Sequence, residues 1–351
     1  MSWSTDGNFF EDFIPGTVLR HATPRTVTTG DVALYTALTG SRFAINSADT
    51  FAQQLGLMGS PLDDILVFNI VFGKTVPDIS LNAIANLGYA SGRFGKPVYP
   101  GDTLKTESRV IGRRELSNGK AGIVWVRSIG TNQFKKKVLD YVRWVMVNKR
   151  DPESPAPDSE VPDLPQAVGA QDLTVPKGLD LAAYDTVLAG DERLWDDFNA
   201  GDRIDHVDGM TLEEAEHQMA TRLYQNTAKV HFNQHQAHDT RFGRRIVYGG
   251  HVISLARALS FNGLANAFRV AAINGGRHVA PFFAGDTLYA WSQVLAKEEI
   301  DGRQDVGALR IRMIGVKDHL SGDYPDKDGD DEDHPGVVLD FDMWVLMPRA
   351  V

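Results

Sequence analysis

Six of the ten histidines lie between His206 and His251, and the chain contains no cysteine. Imidazole is therefore its most versatile reactive group, able to act as base, acid or metal ligand near neutral pH. The lack of cysteine excludes thiolate nucleophiles, disulfides and Cys-ligated metals. His231, His235 and His238, with Asp239 beside them, have a spacing that occurs at metal sites on helices. No glutamate completes a metallohydrolase motif, and His238 shares a helical face with only one of the others. Solvated polar positions are expected there, with no metal and no cofactor. Two further stretches invite a ligand reading. "RFGKPVYPGDTL" (Arg93 to Leu104) and "RHVAPFFAGDTL" (Arg277 to Leu288) could cradle phosphate, but neither has Walker spacing or a following Lys-Ser/Thr pair. A Pro-Gly-Asp turn opening a strand is the better reading, with Arg93 and Arg277 pairing nearby carboxylates. The stretch Asp323 to Asp333, "DYPDKDGDDED", carries seven acids and one lysine, a net of −6. Its glycine is misplaced for a calcium loop and no closing glutamate follows, so a solvated loop is expected.

The two GDTL stretches belong to a longer repeat. "FEDFIPG" at Phe10 answers "WDDFNAG" at Trp195, "RSIG" at Arg127 answers "RMIG" at Arg312, and "VLDYVRWVM" at Val138 answers "VLDFDMWVL" at Val338. The offset is 184 or 185 until the acidic loop, after which it is 200. Matches in one unbroken order mean a duplicated domain. Arg150 to Gly178 holds six of the sixteen prolines and reads as an extended linker. The expected division is 1–150, a linker at 151–178, and 179–351. Each half repeats one pattern: a short strand, a short helix, a longer apolar helix, then several strands. Thr28 with Asp31, and Thr211 with Glu214, have the spacing of capping boxes at the short helices. Strands are expected at "GIVWVRSIG", "VLDYVRWVMV", "ALRIRMIG" and "VVLDFDMWVLM". Strands following one long helix predict an α+β fold in which an antiparallel sheet wraps a central helix.

The remaining charge of about −4 outside the acidic loop gives no nucleic-acid surface, and no apolar run is long enough for a membrane span. "MSWSTDGNFFEDF" lacks the basic and apolar regions of a signal peptide, so a cytoplasmic location is expected.

The Gly-started long helix, the histidine-bearing loop before it and "R-F-x-x-P-V-x-P-G-D-T-L" together resemble the MaoC-like (R)-enoyl-CoA hydratases. That resemblance implies a double hotdog, two hotdog folds in one chain. The family motif runs roughly G-D-x-N-P-x-H-x-D followed by Ala. "QNTAKVHFNQHQA" from Gln225 puts His231 on the family histidine and Asn226 on the family aspartate. "GSRFAINSADTFA" from Gly40 puts Ser41 and Asn46 there, so only the second half is expected to be catalytic. "FGRRIVYGGHVISLARALSFNGL", "SPLDDILVFNIVFGKTV" and "GRFGKPVYPGDTL" resemble the members that reversibly hydrate the branched, dicarboxylic thioester mesaconyl-CoA.

Hydrating an enoyl thioester requires a base for water, a proton donor to C2, and support for charge on the thioester oxygen. The resemblance gives His231 both proton roles. Gly249, Gly250 and His251, at the start of the long helix, would supply N–H groups to the oxyanion, reinforced by the helix dipole. Tyr248 and His251 are expected against the substrate. A neutral Asn226 would orient water without repelling the substrate's own C4 carboxylate, whose basic partner is expected among Arg222, Lys229 and Arg245. The non-catalytic half should supply walls for the acyl-CoA: Ser60, Pro61, Leu62 and Asp63; Ala83, Ile84, Ala85 and Asn86; and Phe94, Gly95 and Lys96, the lysine facing a CoA phosphate. Ser60, Pro61 and Asp63 equally suit an N-cap, first turn and N3 position, a purely structural role. The expected partners are an acyl-CoA thioester and further copies of the chain, as a homodimer or larger homo-oligomer, with no nucleic acid and no membrane. A hydratase for another enoyl-CoA, a hotdog thioesterase using a carboxylate, and a non-catalytic acyl-CoA binding protein are the rival readings.

Overall fold

The computed structural model describes residues 6–350, so the first five residues of the N-terminal stretch lie outside it. Six strands form in the first half: β1 (Val18–Arg20), β2 (Arg25–Thr26), β3 (Ala83–Phe94), β4 (Thr103–Glu115), β5 (Ala121–Thr131) and β6 (Lys137–Asn148). The second half gives β7 (Arg203–Thr211), β8 (Arg269–His278), β9 (Thr287–Ile300), β10 (Arg303–Lys317) and β11 (Val337–Pro348). Each half orders its strands alike, β1-β4-β5-β6-β3 and β7-β9-β10-β11-β8, and all neighbours are antiparallel. The two sheets join edge to edge through β3 and β8, with Tyr89 opposite Gly276 and Gly92 opposite Ile273. Pairing these edges hides two rows of backbone donors and acceptors that would otherwise template aggregation. The junction makes one eleven-stranded sheet.

A helix fills each half. Asp64–Ile79 is apolar on nearly every face and buried throughout most of its length, which suits a helix enclosed by a curved sheet. Gly249–Leu259 is its counterpart, and everything from Gly250 onward is buried. Asn262 and Gly263 leave helical geometry just beyond Leu259, ending the second helix earlier than its apolar run predicts. The helices meet at a polar contact: the Asn69 side-chain amide donates to Gly250 O at 3.1 Å and Ser254 Oγ at 2.9 Å. One core cluster takes Phe68 and Tyr89 from the first half and Leu255 and Phe341 from the second, so the interior is continuous.

The repeated turn has the same job twice. Asp102 accepts the Tyr99 amide at 2.9 Å and Asp286 the Phe283 amide at 3.0 Å, with Gly101 and Gly285 in the left-handed region. Arg93 pairs with Asp172, and Arg277 with Asp333 and Asp340. Asp326, in the acidic loop, grips Arg312 on β10. The linker packs on the sheet rather than hanging free: Val168 and Leu173 are buried, and Trp344 Nε1 donates to Val168 O at 2.9 Å.

The short helix Thr29–Thr39 begins as expected, with Thr28 and Asp31 forming a capping box. Its counterpart, Glu214–Leu223, is capped by Glu213 with Glu216, not by Thr211. Thr211 belongs to β7, where its hydroxyl meets that of Thr287 at 2.8 Å, as Thr26 meets Thr103 at 2.7 Å. Ser60 likewise is not an N-cap: Asp63 caps Asp64–Ile79 by accepting the Ile65 amide at 2.8 Å. Pro61 precedes the helix, and the Ser60 amide is already bound to Asp49.

Candidate active site

A cavity of about 870 Å³ opens where the two halves meet. Asn226, Lys229, His231, Tyr248 and Gly249 line it from the second half, and Ala83, Ile84, Ala85 and Asn86 from the first. No Asp or Glu is among its lining residues, whereas Arg143, Lys229 and Arg241 are.

His231 lies in the short helix Lys229–Phe232, its ring 5.6 Å from that of Tyr248. Its Nδ1 is 2.8 Å from Ile246 O. A carbonyl only accepts, so Nδ1 carries the proton and Nε2 keeps a free lone pair. Burial lowers the ring's pKa to about 4, only partly offset by the Ile246 carbonyl, so the imidazole is neutral near pH 7. Asn226 is buried, and its Oδ1 accepts the Ala228 amide at 3.0 Å. Because a backbone N–H only donates, that atom must be the oxygen, and the NH₂ group is left without a protein partner among the described residues.

Tyr248 precedes the helix Gly249–Leu259 as its N-cap residue. Among the described residues the amides of Gly249 and Gly250 make no backbone hydrogen bond, as befits the first turn of a helix. The His251 amide does not join them, since it donates to Tyr248 O at 2.9 Å. Close approach explains both glycines. A Cβ on Gly249 would stand 2.3 Å from the His278 ring, and one on Gly250 would stand 2.1 Å from Asn69 Oδ1. His278 itself lines the cavity, bonded through Nε2 to the Tyr89 hydroxyl at 3.1 Å, and burial lowers its pKa to about 4.

The first half repeats this framework with Ser41 and Asn46 in place of Asn226 and His231. Asn46 Nδ2 donates to Pro61 O at 3.0 Å, repeating the His231–Ile246 bond 185 positions earlier. Ser41 Oγ donates to Asp63 at 3.4 Å. Asp63 and Asp64 stand where the second half has Tyr248 and Gly249, so carboxylates occupy the helix start. Burial raises the pKa of Asp64 to about 6. Only a cleft of about 10 Å³ is left, lined in part by Asn46, Pro61 and Leu62.

Several expected residues therefore fall elsewhere. Pro61 and Leu62 line this small cleft, and neither they nor Ser60 and Asp63 line the large cavity. Phe94, Gly95 and Lys96 do not line the cavity, whereas their second-half counterparts His278, Val279 and Ala280 do. The His251 side chain is buried against Tyr224, with Nδ1 3.1 Å from the hydroxyl. Of the three proposed basic partners, Lys229 reaches the cavity, Arg222 is exposed elsewhere, and Arg245 is paired with Glu214. The sequence reading missed Arg143 and His278. Comparing the halves would have found both, because their counterparts are Met343 and Phe94.

The cluster of histidines dissolves into separate roles. His206 bridges Asn262 O at 2.7 Å and Ser292 Oγ at 2.8 Å, as His21 bridges Asp78 and Ser108. His235 and His238 are exposed, and among the described residues no three His, Asp or Glu side chains are grouped to hold a metal.

A family model described as mesaconyl-CoA hydratase matches residues 3–326. A β-methylmalyl-CoA dehydratase of Chloroflexus aurantiacus is 64% identical over 343 residues, covering 98% of this chain and 97% of that one. A mesaconyl-CoA hydratase of Cereibacter sphaeroides is 55% identical, covering 98% of each. Among solved structures, a MaoC domain dehydratase from Chloroflexus aurantiacus superposes with a TM-score of 0.98 at 62% identity over the whole of both chains. A Mycobacterium tuberculosis protein described as a double hotdog matches with a TM-score of 0.76 at 25% identity, over 98% of this chain and 99% of that one.

Proposed function

The chain belongs to the mesaconyl-CoA hydratase family, and from that premise we propose that it reversibly adds water to mesaconyl-CoA, giving β-methylmalyl-CoA. The observation that carries the chemistry is a neutral imidazole, fixed through Nδ1, that lines one cavity with Gly249, whose amide at a helix start makes no backbone hydrogen bond among the described residues.

In hydration, Nε2 of His231 takes a proton from water as the oxygen bonds to C3. The electron pair of the C2=C3 bond moves toward the thioester, and charge builds on its oxygen. Gly249 and Gly250 donate to that oxygen, aided by the positive end of the helix dipole. The imidazolium then returns its proton to C2. Water is added as OH at C3 and H at C2 on one face, and His231 ends neutral. Asn226 donates to the water or to the substrate carboxylate beside it. The first half contributes the wall Ala83–Asn86 and leaves the proton transfers to the second, the division we propose between 1–150 and 179–351. The chain is proposed to work without cofactor, in the cytoplasm, as a homo-oligomer.

No carboxylate lines the cavity to attack or activate water at a thioester carbonyl, which argues against the thioesterase alternative. Loss of enoyl-thioester absorbance with mesaconyl-CoA, without release of free CoA, is the expected result. Thiol release with the double bond intact would overturn the proposal.

A further inference from the structure

We infer that Arg143 anchors the distal carboxylate of the acyl group, making the first half the source of specificity for a dicarboxylic thioester. This rests on the hydration reading and assigns it a specificity residue.

Arg143 lies in β6, is fully buried, and lines the cavity. Its guanidinium sits 4.2 Å from the centre of the Phe72 ring and donates to Ser80 Oγ at 3.0 Å, Thr75 Oγ1 at 2.8 Å and Asn86 Oδ1 at 3.4 Å. Each of these partners is neutral, and Nε has none among the described residues. Other arginines of the same sheet are treated differently: Arg127, Arg277, Arg310 and Arg312 each pair with an aspartate. A buried guanidinium without a counter-ion is unfavourable unless something anionic joins it.

The fold does not require it. The equivalent position in "VLDFDMWVL" is Met343, fully buried in β11, so this strand position accepts an uncharged side chain of similar length. The arginine stands in the half that lacks proton-transfer groups, facing a cavity with cationic residues and no acid. Unpartnered polar atoms gather nearby: Asn86 Nδ2, the Tyr248 hydroxyl and Arg143 Nε are all buried without a hydrogen bond. Ring contacts connect this end to the base, since Phe72 lies 5.5 Å from Tyr248, and Tyr248 lies 5.6 Å from His231. A carboxylate is the small anion that a guanidinium fork holds in two parallel hydrogen bonds.

The test compares two unreactive thioesters of matched shape, 2-methylsuccinyl-CoA and 2-methylbutyryl-CoA, which differ in the distal carboxylate. Their dissociation constants are measured by calorimetry on the full chain and on R143M and R143K. R143M is expected to weaken 2-methylsuccinyl-CoA by roughly a hundredfold and 2-methylbutyryl-CoA by less than about threefold. R143K should fall between, keeping the charge without the fork. Equal weakening of both ligands would mean that Arg143 only braces β6 against Ser80 and Thr75, and would overturn the inference, as would no weakening at all. If R143M does not fold, R143K carries the same comparison. Selective weakening in a protein that adds no water to mesaconyl-CoA would support this inference while the hydration reading fell.

Discussion

At the residue scale, Asn226 separates this site from the aspartate pattern it resembles. Its Oδ1 is committed to the Ala228 amide, so what it can offer a ligand is an NH₂ donor. An aspartate would keep the Ala228 bond with one oxygen and present a second, anionic one. Placed about 4 Å from the substrate's C4 carboxylate, it would cost on the order of 4 kcal/mol at an effective dielectric near 20. N226D should therefore lower kcat/KM for mesaconyl-CoA far more than for crotonyl-CoA, which has no such carboxylate. Steady-state kinetics on both thioesters will check this, and equal losses would contradict it. That His231 and Asn226 belong together on a cavity was legible because they differ from Asn46 and Ser41 in an otherwise similar half, and Gly249 because it opens the long helix, whereas Gly250 does not line the cavity. Phe94–Lys96 were assigned to the wrong copy of their motif. Which copy faces the cavity depends on how β3 and β8 pair, a long-range fact that local spacing does not encode. Arg143 was hidden differently: one arginine in an apolar strand reads as a surface charge until its twin, Met343, is set beside it.

At the scale of elements, the strands, the two enclosed helices and the linker could be read from apolar runs and prolines. So could the helix starts at Thr28 and Gly249, whereas those at Glu213 and Asp63 could not, where neighbouring residues compete for the cap. Thr211 has the spacing of a cap but is the counterpart of Thr26, and both hydroxyls serve a strand pair. Aligning the halves puts Glu213 opposite Thr28, which is the cap observed. Ser60 failed as a cap because Asp63 lies nearer the first free amides. Under the proposed mechanism one helix start receives an oxyanion, and the same alignment puts a carboxylate at the other. Gly249 leaves an open amide beside His278, whereas Asp64 brings a carboxylate to the corresponding turn. A negative group there satisfies the helix dipole locally and excludes an anionic ligand.

Across the whole molecule, duplication lets the first half carry Asn46 where the second has His231 and still wall the shared cavity. It also leaves an unusual number of histidines enclosed in a shared interior. Burial lowers the pKa of His206, His231 and His278 to about 4, and of His217 and His251 to about 3. When unfolded, each takes up a proton below about pH 6.5, whereas the folded chain does not until pH 4 or lower. Stability contributed by their neutral forms is complete above pH 6.5 and declines as pH falls toward 4. Asp63 and Asp64, both raised by burial and Asp64 to about 6, work in the opposite direction but are two groups against five. Thermal melts should show Tm falling steadily below pH 6.5, and a Tm unchanged down to pH 4.5 would contradict this account of the histidines.

The central claim is that only one of two sister sites works, and the most direct measurement compares their equivalent residues. Turnover of mesaconyl-CoA should fall by roughly a thousandfold in His231→Ala, with KM little changed. The same change at the counterpart, Asn46→Ala, should leave kcat within about twofold of the parent. An active His231→Ala protein, or equal losses from both substitutions, would contradict the assignment of catalysis to the second half.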